Sequence, residues 1–143
     1  MTYVDPPSPR QWTDRIRWFD DRLRRAADDR PLQVGSQTEA VLTELRRVFA
    51  AGAWVTAVVL AQAAIDSEVS ERVEQAVGDG LYLNAVRFGR DYVWLRDRRN
   101  AYLHNDGPVP AVTARDLALE QPRLEKEARR AVELMADALA GKA

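Results

Sequence analysis

The sequence predicts an all-α protein, an up-and-down bundle of four long helices with one or two short ones. Three observations carry that expectation. Apolar residues recur at alternating steps of three and four along most of the chain, capping signatures stand directly in front of such runs, and proline and glycine fall between them. A chain of 143 residues, 46% hydrophobic and 30% charged, suits one such domain and buries roughly two-thirds of its unfolded surface. Residues 1–7 hold Pro6 and Pro7 and show no period, so an extended arm is expected ahead of a single bundle over residues 8–140.

The first helix is announced by Ser8-Pro9-Arg10-Gln11, which offers a capping hydroxyl, proline at the first helical position and glutamine where a capping box needs it. Trp12, Ile16, Phe19, Leu23 and Ala26 then form one apolar stripe on a helix reaching about Asp28. Seven arginines and five aspartates between Arg10 and Arg30 read as a solvated face stitched by short-range pairs. After the Pro31 to Gly35 turn, Ser36-Gln37-Thr38-Glu39 repeats the capping box and starts a second helix, with Val41 or Leu42, Leu45, Val48 and Phe49 on one side. Gly52 interrupts it. From Trp54 through Ile65 almost no polar face remains, and the pattern continues through Val69, Val73 and Ala76, which predicts one long helix at the buried centre of the bundle.

Gly78-Asp79-Gly80 is expected to break that helix, and Leu81, Tyr82, Ala85, Val86 and Phe88 fit a short helix or an irregular crossing closed by Gly89. The next helix spans roughly Arg90 to His104, and Asn105-Asp106-Gly107-Pro108 is expected to stop it through a left-handed cap. Thr113 to Asp116 suggests a short helical turn carrying Leu117 and Leu119. Pro122 suits the first turn of a final helix with Leu124, Ala128, Ala131, Met135 and Ala138 on its inner face.

Composition narrows the chemistry. With no cysteine and one histidine, a disulfide framework, a thiolate zinc site and a multi-histidine metal site within one chain are excluded, so no metal or other cofactor is expected. The longest apolar run, Ala57 to Ala61, is far short of a membrane span, and Met1 to Arg10 lacks the apolar core of a signal peptide; a cytoplasmic location is the expectation. The basic residues are nearly all arginine, as a GC-rich bacterial genome would favour. Net charge is −1, so any nucleic-acid contact must come from a local patch.

Such a patch surrounds the only histidine. Arg87, Arg90, Arg96, Arg98 and Arg99 outnumber Asp91 and Asp97, and the run ends at His104. Arginine supplies a permanent bidentate cation and histidine a group that exchanges a proton near neutral pH, a combination suited to phosphodiester cleavage. Around a regular helix Arg99 and His104 stand about 140° apart, whereas Asn100 and His104 stand about 40° apart. A long arginine, a loosened last turn or a second copy across a two-fold axis would bring the pair together, and the last makes a dimeric site attractive. Gln62 and Asp66, four apart on the apolar helix, either meet solvent or backbone, or place Asp66 to orient Arg99 or His104; Glu68 points elsewhere. Tyr102 reads as core packing or as a platform for a base.

Arg99-Asn100-Ala101-Tyr102-Leu103-His104 resembles the Arg-x(4 to 6)-His motif of the HEPN (higher eukaryotes and prokaryotes nucleotide-binding) superfamily, in its Arg-Asn-x-x-x-His form. The resemblance extends over roughly Thr38 to Leu139, with an Ala-rich helix after Ala50-Ala51-Gly52-Ala53-Trp54 preceding the helix that bears the motif. Residues Asn105 to Pro122 are longer than in the simplest members. The resemblance implies a homodimeric, metal-independent endoribonuclease, often the toxin of a toxin-antitoxin pair or part of phage defence. Carried over by position, Arg99, Asn100 and His104 would be catalytic, with Asp66 and Tyr102 in support and Arg90, Arg96 and Arg98 on RNA. The partners implied are RNA, a second copy docked through the motif helix, and an antitoxin or nucleotidyltransferase-like protein. A non-catalytic nucleotide- or RNA-binding module and a helical adaptor remain as alternatives.

Overall fold

The computed structural model describes the backbone of residues 1–74 and 80–143 and the side chains of residues 1–72 and 83–143. Among them stand helices α1 (Pro9–Ala26), α2 (Ser36–Ala51), α3 (Trp54–Glu74), α4 (Gly80–Phe88), α5 (Arg90–Leu103), α6 (Ala114–Leu119) and α7 (Gln121–Leu139). The all-α bundle is as predicted; among the described residues it has five helices of 14 or more residues, one more than the four long ones expected, and two short ones. The break predicted at Gly78-Asp79, and the apolar contributions of Val73, Ala76, Leu81 and Tyr82, lie outside the described residues.

Helix α3 is the axis of the molecule. It packs against α2, α5 and α7, which leaves only a narrow strip at Thr56, Asp66 and Ser70 open and accounts for the nearly continuous apolar run from Trp54 to Ile65. Ala57, Val58, Ala61, Ala64 and Ile65 are all at most 1% exposed. Alanines at 57, 61 and 64 let the neighbouring backbones approach closely, and the predicted inner face of α7, from Leu124 to Ala138, is buried against them. Helix α1 closes the bundle over α2 and α7, α4 lies on α5, and α6 lies on α7. No described helix is long and apolar enough to cross a membrane.

One end of the core is aromatic. Trp18 stacks on Phe49 at 5.1 Å between ring centroids, Phe19 tilts against it at 5.8 Å and Trp54 meets it edge-on at 5.3 Å. Arg129 lies 4.5 Å over the Trp18 ring, and Trp54 Nε1 donates to Gln121 Oε1 at 2.8 Å, so the buried indole N–H of Trp54 is satisfied. The α1 stripe is only partly used: Phe19 and Ala26 are buried, Leu23 packs on the core, but Trp12 is 40% exposed. The arginines of α1 do more than pair locally. Arg22 reaches Asp137, Asp20 receives Arg46 in a two-pronged pair, and Arg15 donates to the Ala50 carbonyl while covering Trp54, which ties α1 to α7 and α2.

Two helix ends differ from expectation. The box at Ser8 forms in full, with the hydroxyl accepting from Gln11 N–H and the glutamine returning to Ser8 N–H. At α2, however, the cap is Gly35 and Ser36 already lies inside the helix. Tertiary contacts set this register: Gly35 N–H donates to Glu68 Oε2 at 3.1 Å, and the fully buried Thr38 donates its hydroxyl to Ser67 Oγ at 3.1 Å. The second correction is at α5, whose C-cap is His104 in extended conformation, with φ −124° and ψ 118°. An extended exit needs no left-handed residue, and neither Asn105 nor Gly107 has a positive φ. Gly52 does take the left-handed role at the end of α2, with φ 78°.

Candidate functional site

Helix α5 presents its residues according to what lies beneath it. Tyr92 and Leu95 face α3 and α7 and are buried, so Arg96, Arg99 and Asn100 fall on the flanks of the same helix and Arg98 and Tyr102 on the side of α7. Tyr102 donates its hydroxyl to Glu127 Oε2 at 2.6 Å, and Arg98 pairs with the same carboxylate at 3.2 Å while lying 4.7 Å over the tyrosine ring. Burial, reinforced by the hydrogen bond to Glu127, pushes the Tyr102 phenol up to about 12. Arg98 and Tyr102 therefore form an anchor between α5 and α7.

Arg99 has a different environment. Its Nε donates to Asn100 Oδ1 at 2.7 Å and its Nη1 to Asp66 Oδ2 at 2.9 Å, while Asp66 Oδ1 accepts from Gln62 Nε2 at 2.8 Å. A guanidinium carries five N–H donors, of which these contacts occupy two, and the remaining fork has no acceptor among the described residues. The Asp66 chosen from the sequence as an orienting carboxylate does hold Arg99. Glu68, as expected, faces elsewhere: it is 5% exposed and engaged with Gly35 and Arg72.

The cleft at Arg99 has a volume of about 640 Å³, and its lining includes Ser36, Gln37, Ser67, Ser70 and two acidic residues, Asp66 and Glu71. His104, just beyond the last helical residue, is exposed, and its backbone N–H still bonds to the Asn100 carbonyl at 2.9 Å. Its imidazole makes no hydrogen bond or ion pair among the described residues and lines a smaller hollow, about 260 Å³, with Asn100, Asn105 and Asp106. Arg99 and His104 thus border two separate hollows, with Asn100 lining the second and touching the arginine of the first. The angular separation computed from helix geometry is the reason: α5 remains α-helical through Leu103.

Of the other arginines in the patch, Arg96 donates to the Arg87 carbonyl at 2.8 Å at the mouth of a third hollow, and Arg90 is exposed at the start of α5. Sequence reasoning missed Glu127, which anchors Tyr102 and Arg98; no spacing rule links positions 25 or more residues apart on different helices. Among the described residues no three or more histidine, aspartate or glutamate side chains are grouped to hold a metal ion. Compared with family models, curated proteins and solved structures, the chain matches none.

Proposed function

We propose that the chain is a metal-independent endoribonuclease of the HEPN type that works as a homodimer, acting as a toxin or a phage-defence component. The observation that carries this reading is the seating of Arg99. Asp66 and Asn100 hold this cation from one side, at the wall of an open cleft, and leave three of its five N–H donors without an acceptor among the described residues, free to meet the non-bridging oxygens of a phosphate. His104 is exposed at the end of the same helix, with its ring nitrogens uncommitted.

In this reaction neutral His104 removes the proton from a ribose 2′-hydroxyl, and the oxygen attacks the adjacent phosphorus. The bond to the 5′-oxygen breaks, leaving a 2′,3′-cyclic phosphate and, once that oxygen is protonated, a 5′-hydroxyl. Arg99 grips the phosphate and offsets charge gathering on its non-bridging oxygens, and Asn100 keeps the guanidinium and the histidine hollow in register. Because the two groups border separate hollows in one protomer, a second copy docked along α5 completes the site, with Arg99 of one copy facing His104 of the other. Exposed Phe88 and Leu103, at 74% and 57%, flank that helix and supply apolar contact for docking.

The test is incubation of the protein with tRNA or total RNA in EDTA, beside His104→Ala and Arg99→Ala. Cleavage to cyclic-phosphate ends is expected, reduced about a hundredfold or more in each variant. No cleavage by the unaltered protein, or cleavage indifferent to both substitutions, overturns the proposal. The separation of Arg99 from His104 favours one second reading, a module that grips an RNA phosphate through Arg99 without cutting it. Binding that requires Arg99 but not His104, with no cleavage, selects that reading.

A further inference from the structure

Helix α5 outruns the core that supports it. Its buried residues are Tyr92 and Leu95, and from Arg96 to Leu103 Tyr102 alone packs on the core cluster, with its side chain partly exposed. The last two turns, which carry Arg99, Asn100 and the exit to His104, are therefore held to the bundle mainly by polar contacts. Arg96 donates to the Arg87 carbonyl on α4 at 2.8 Å, Arg99 pairs with Asp66 on α3 at 2.9 Å, and Arg98 and Tyr102 reach Glu127 on α7. Beyond Arg99, the Tyr102–Glu127 bond is the one side-chain hydrogen bond or ion pair that joins residues 100–104 to another helix among the described residues.

Glu127 is seated as a fixed point. It lies between buried Leu124 and Ala128 on α7, so its backbone moves only with the core. Its Oε2 accepts from the Tyr102 hydroxyl at 2.6 Å and from Arg98 Nε at 3.3 Å, its Oε1 pairs with Arg98 Nη2 at 3.2 Å, and Arg123 Nη1 stands 3.9 Å away. The side chain is 20% exposed, so water competes little for these donors. His104 has no comparable tie. Its imidazole is unbonded among the described residues and its backbone N–H reaches the Asn100 carbonyl at 2.9 Å, so the place of the ring follows the place of the last turn of α5.

We propose that Glu127 is a positioning residue: through Tyr102 and Arg98 it fixes the last turn of α5 and with it the place of His104, an inference that rests on the ribonuclease reading for its effect on cleavage but not for its effect on the end of α5. Arg99 is held separately by Asp66, so loss of Glu127 leaves the grip on phosphate intact. A displacement of about 1 Å between a general base and the proton it takes is enough to cost about a hundredfold.

Amide hydrogen exchange of the full-length protein tests the placement without relying on cleavage. In Glu127→Ala the amides of residues 101–104 are expected to exchange about tenfold faster or more, whereas those of Ala61 and Ala64 in α3 keep the rates of the parent. Glu127→Gln, whose side-chain oxygen still accepts from Tyr102, is expected to restore part of the protection. Tyr102→Phe removes the same hydrogen bond and takes the place of the alanine variant if that one loses its helical signal. On RNA, Glu127→Ala should lower kcat about ten- to a hundredfold with KM within about twofold of the parent, since Arg99 still holds the phosphate. Unchanged exchange at residues 101–104, or faster exchange there and in α3 alike, overturns the proposal, as does a raised KM with unchanged kcat. Localised fast exchange with no cleavage by the parent removes the nuclease alone, and cleavage by the parent that is indifferent to Glu127→Ala removes the positioning role alone.

Discussion

Asp66 and Tyr102 were both candidates for supporting roles, and their surroundings separate them. The Asp66 side chain is 52% exposed, so its pair with Arg99 adds at most about 1 kcal/mol to stability. Its effect is on position. Asp66→Asn is therefore expected to lower RNA cleavage about ten- to a hundredfold while moving the melting temperature by no more than a few degrees, as single-turnover assays and calorimetry would measure. An equal loss of stability and activity would assign Asp66 to the fold. Tyr102 is the reverse case. Its phenol is raised by burial and by Glu127 to about 12, above the value near 10 of an exposed tyrosine, so the folded state favours the neutral form. That contribution is complete below pH 10 and is lost as pH rises through the interval from 10 to about 12. Melting curves should show Tyr102→Phe less stable than the parent by about 1 kcal/mol at neutral pH, with the gap closing across that interval. Arg99, Asn100 and His104 were singled out from one six-residue motif and Asp66 from its spacing to Gln62, and the pair that the fold makes between Asp66 and Arg99 was among the contacts weighed from the sequence. Glu127 was not, because its partners come from another helix.

At the scale of the element, capping chemistry decides some helix starts and packing decides others. Ser8 and Gln11 form a box whose atoms all lie within three residues of one another, so local sequence is sufficient. Ser36 carries an equally good signature, yet the start of α2 is held by Glu68 and Ser67 of α3. Ser8→Ala should cost about 1 kcal/mol, whereas Ser36→Ala should stay within about 0.5 kcal/mol of the parent in urea unfolding. A large loss at Ser36 would mean that its hydroxyl caps α2 after all. The same distinction explains α5. Asparagine and glycine permit a left-handed exit, but permission is not a requirement, and His104 leaves the helix extended.

For the whole molecule the decisive question is how many copies make the site. If docking along α5 unites Arg99 with His104, sedimentation should show a dimer, and Leu103→Arg should yield a folded monomer with RNA cleavage reduced about a hundredfold or more, because a lone protomer keeps Arg99 and His104 at separate hollows. A monomeric parent that cleaves normally would sink the shared-site arrangement. The sequence by itself determined the helical class, the central place of the apolar helix and the inner face of α7. All of these follow from periodicity and from neighbours three to five residues apart. Tertiary structure alone decided where α2 begins and that Arg98 is committed to Glu127 while Arg99 keeps a fork of donors. Those outcomes turn on which polar groups meet across α2, α3, α5 and α7, and a hydrogen bond between helices leaves no period in the chain.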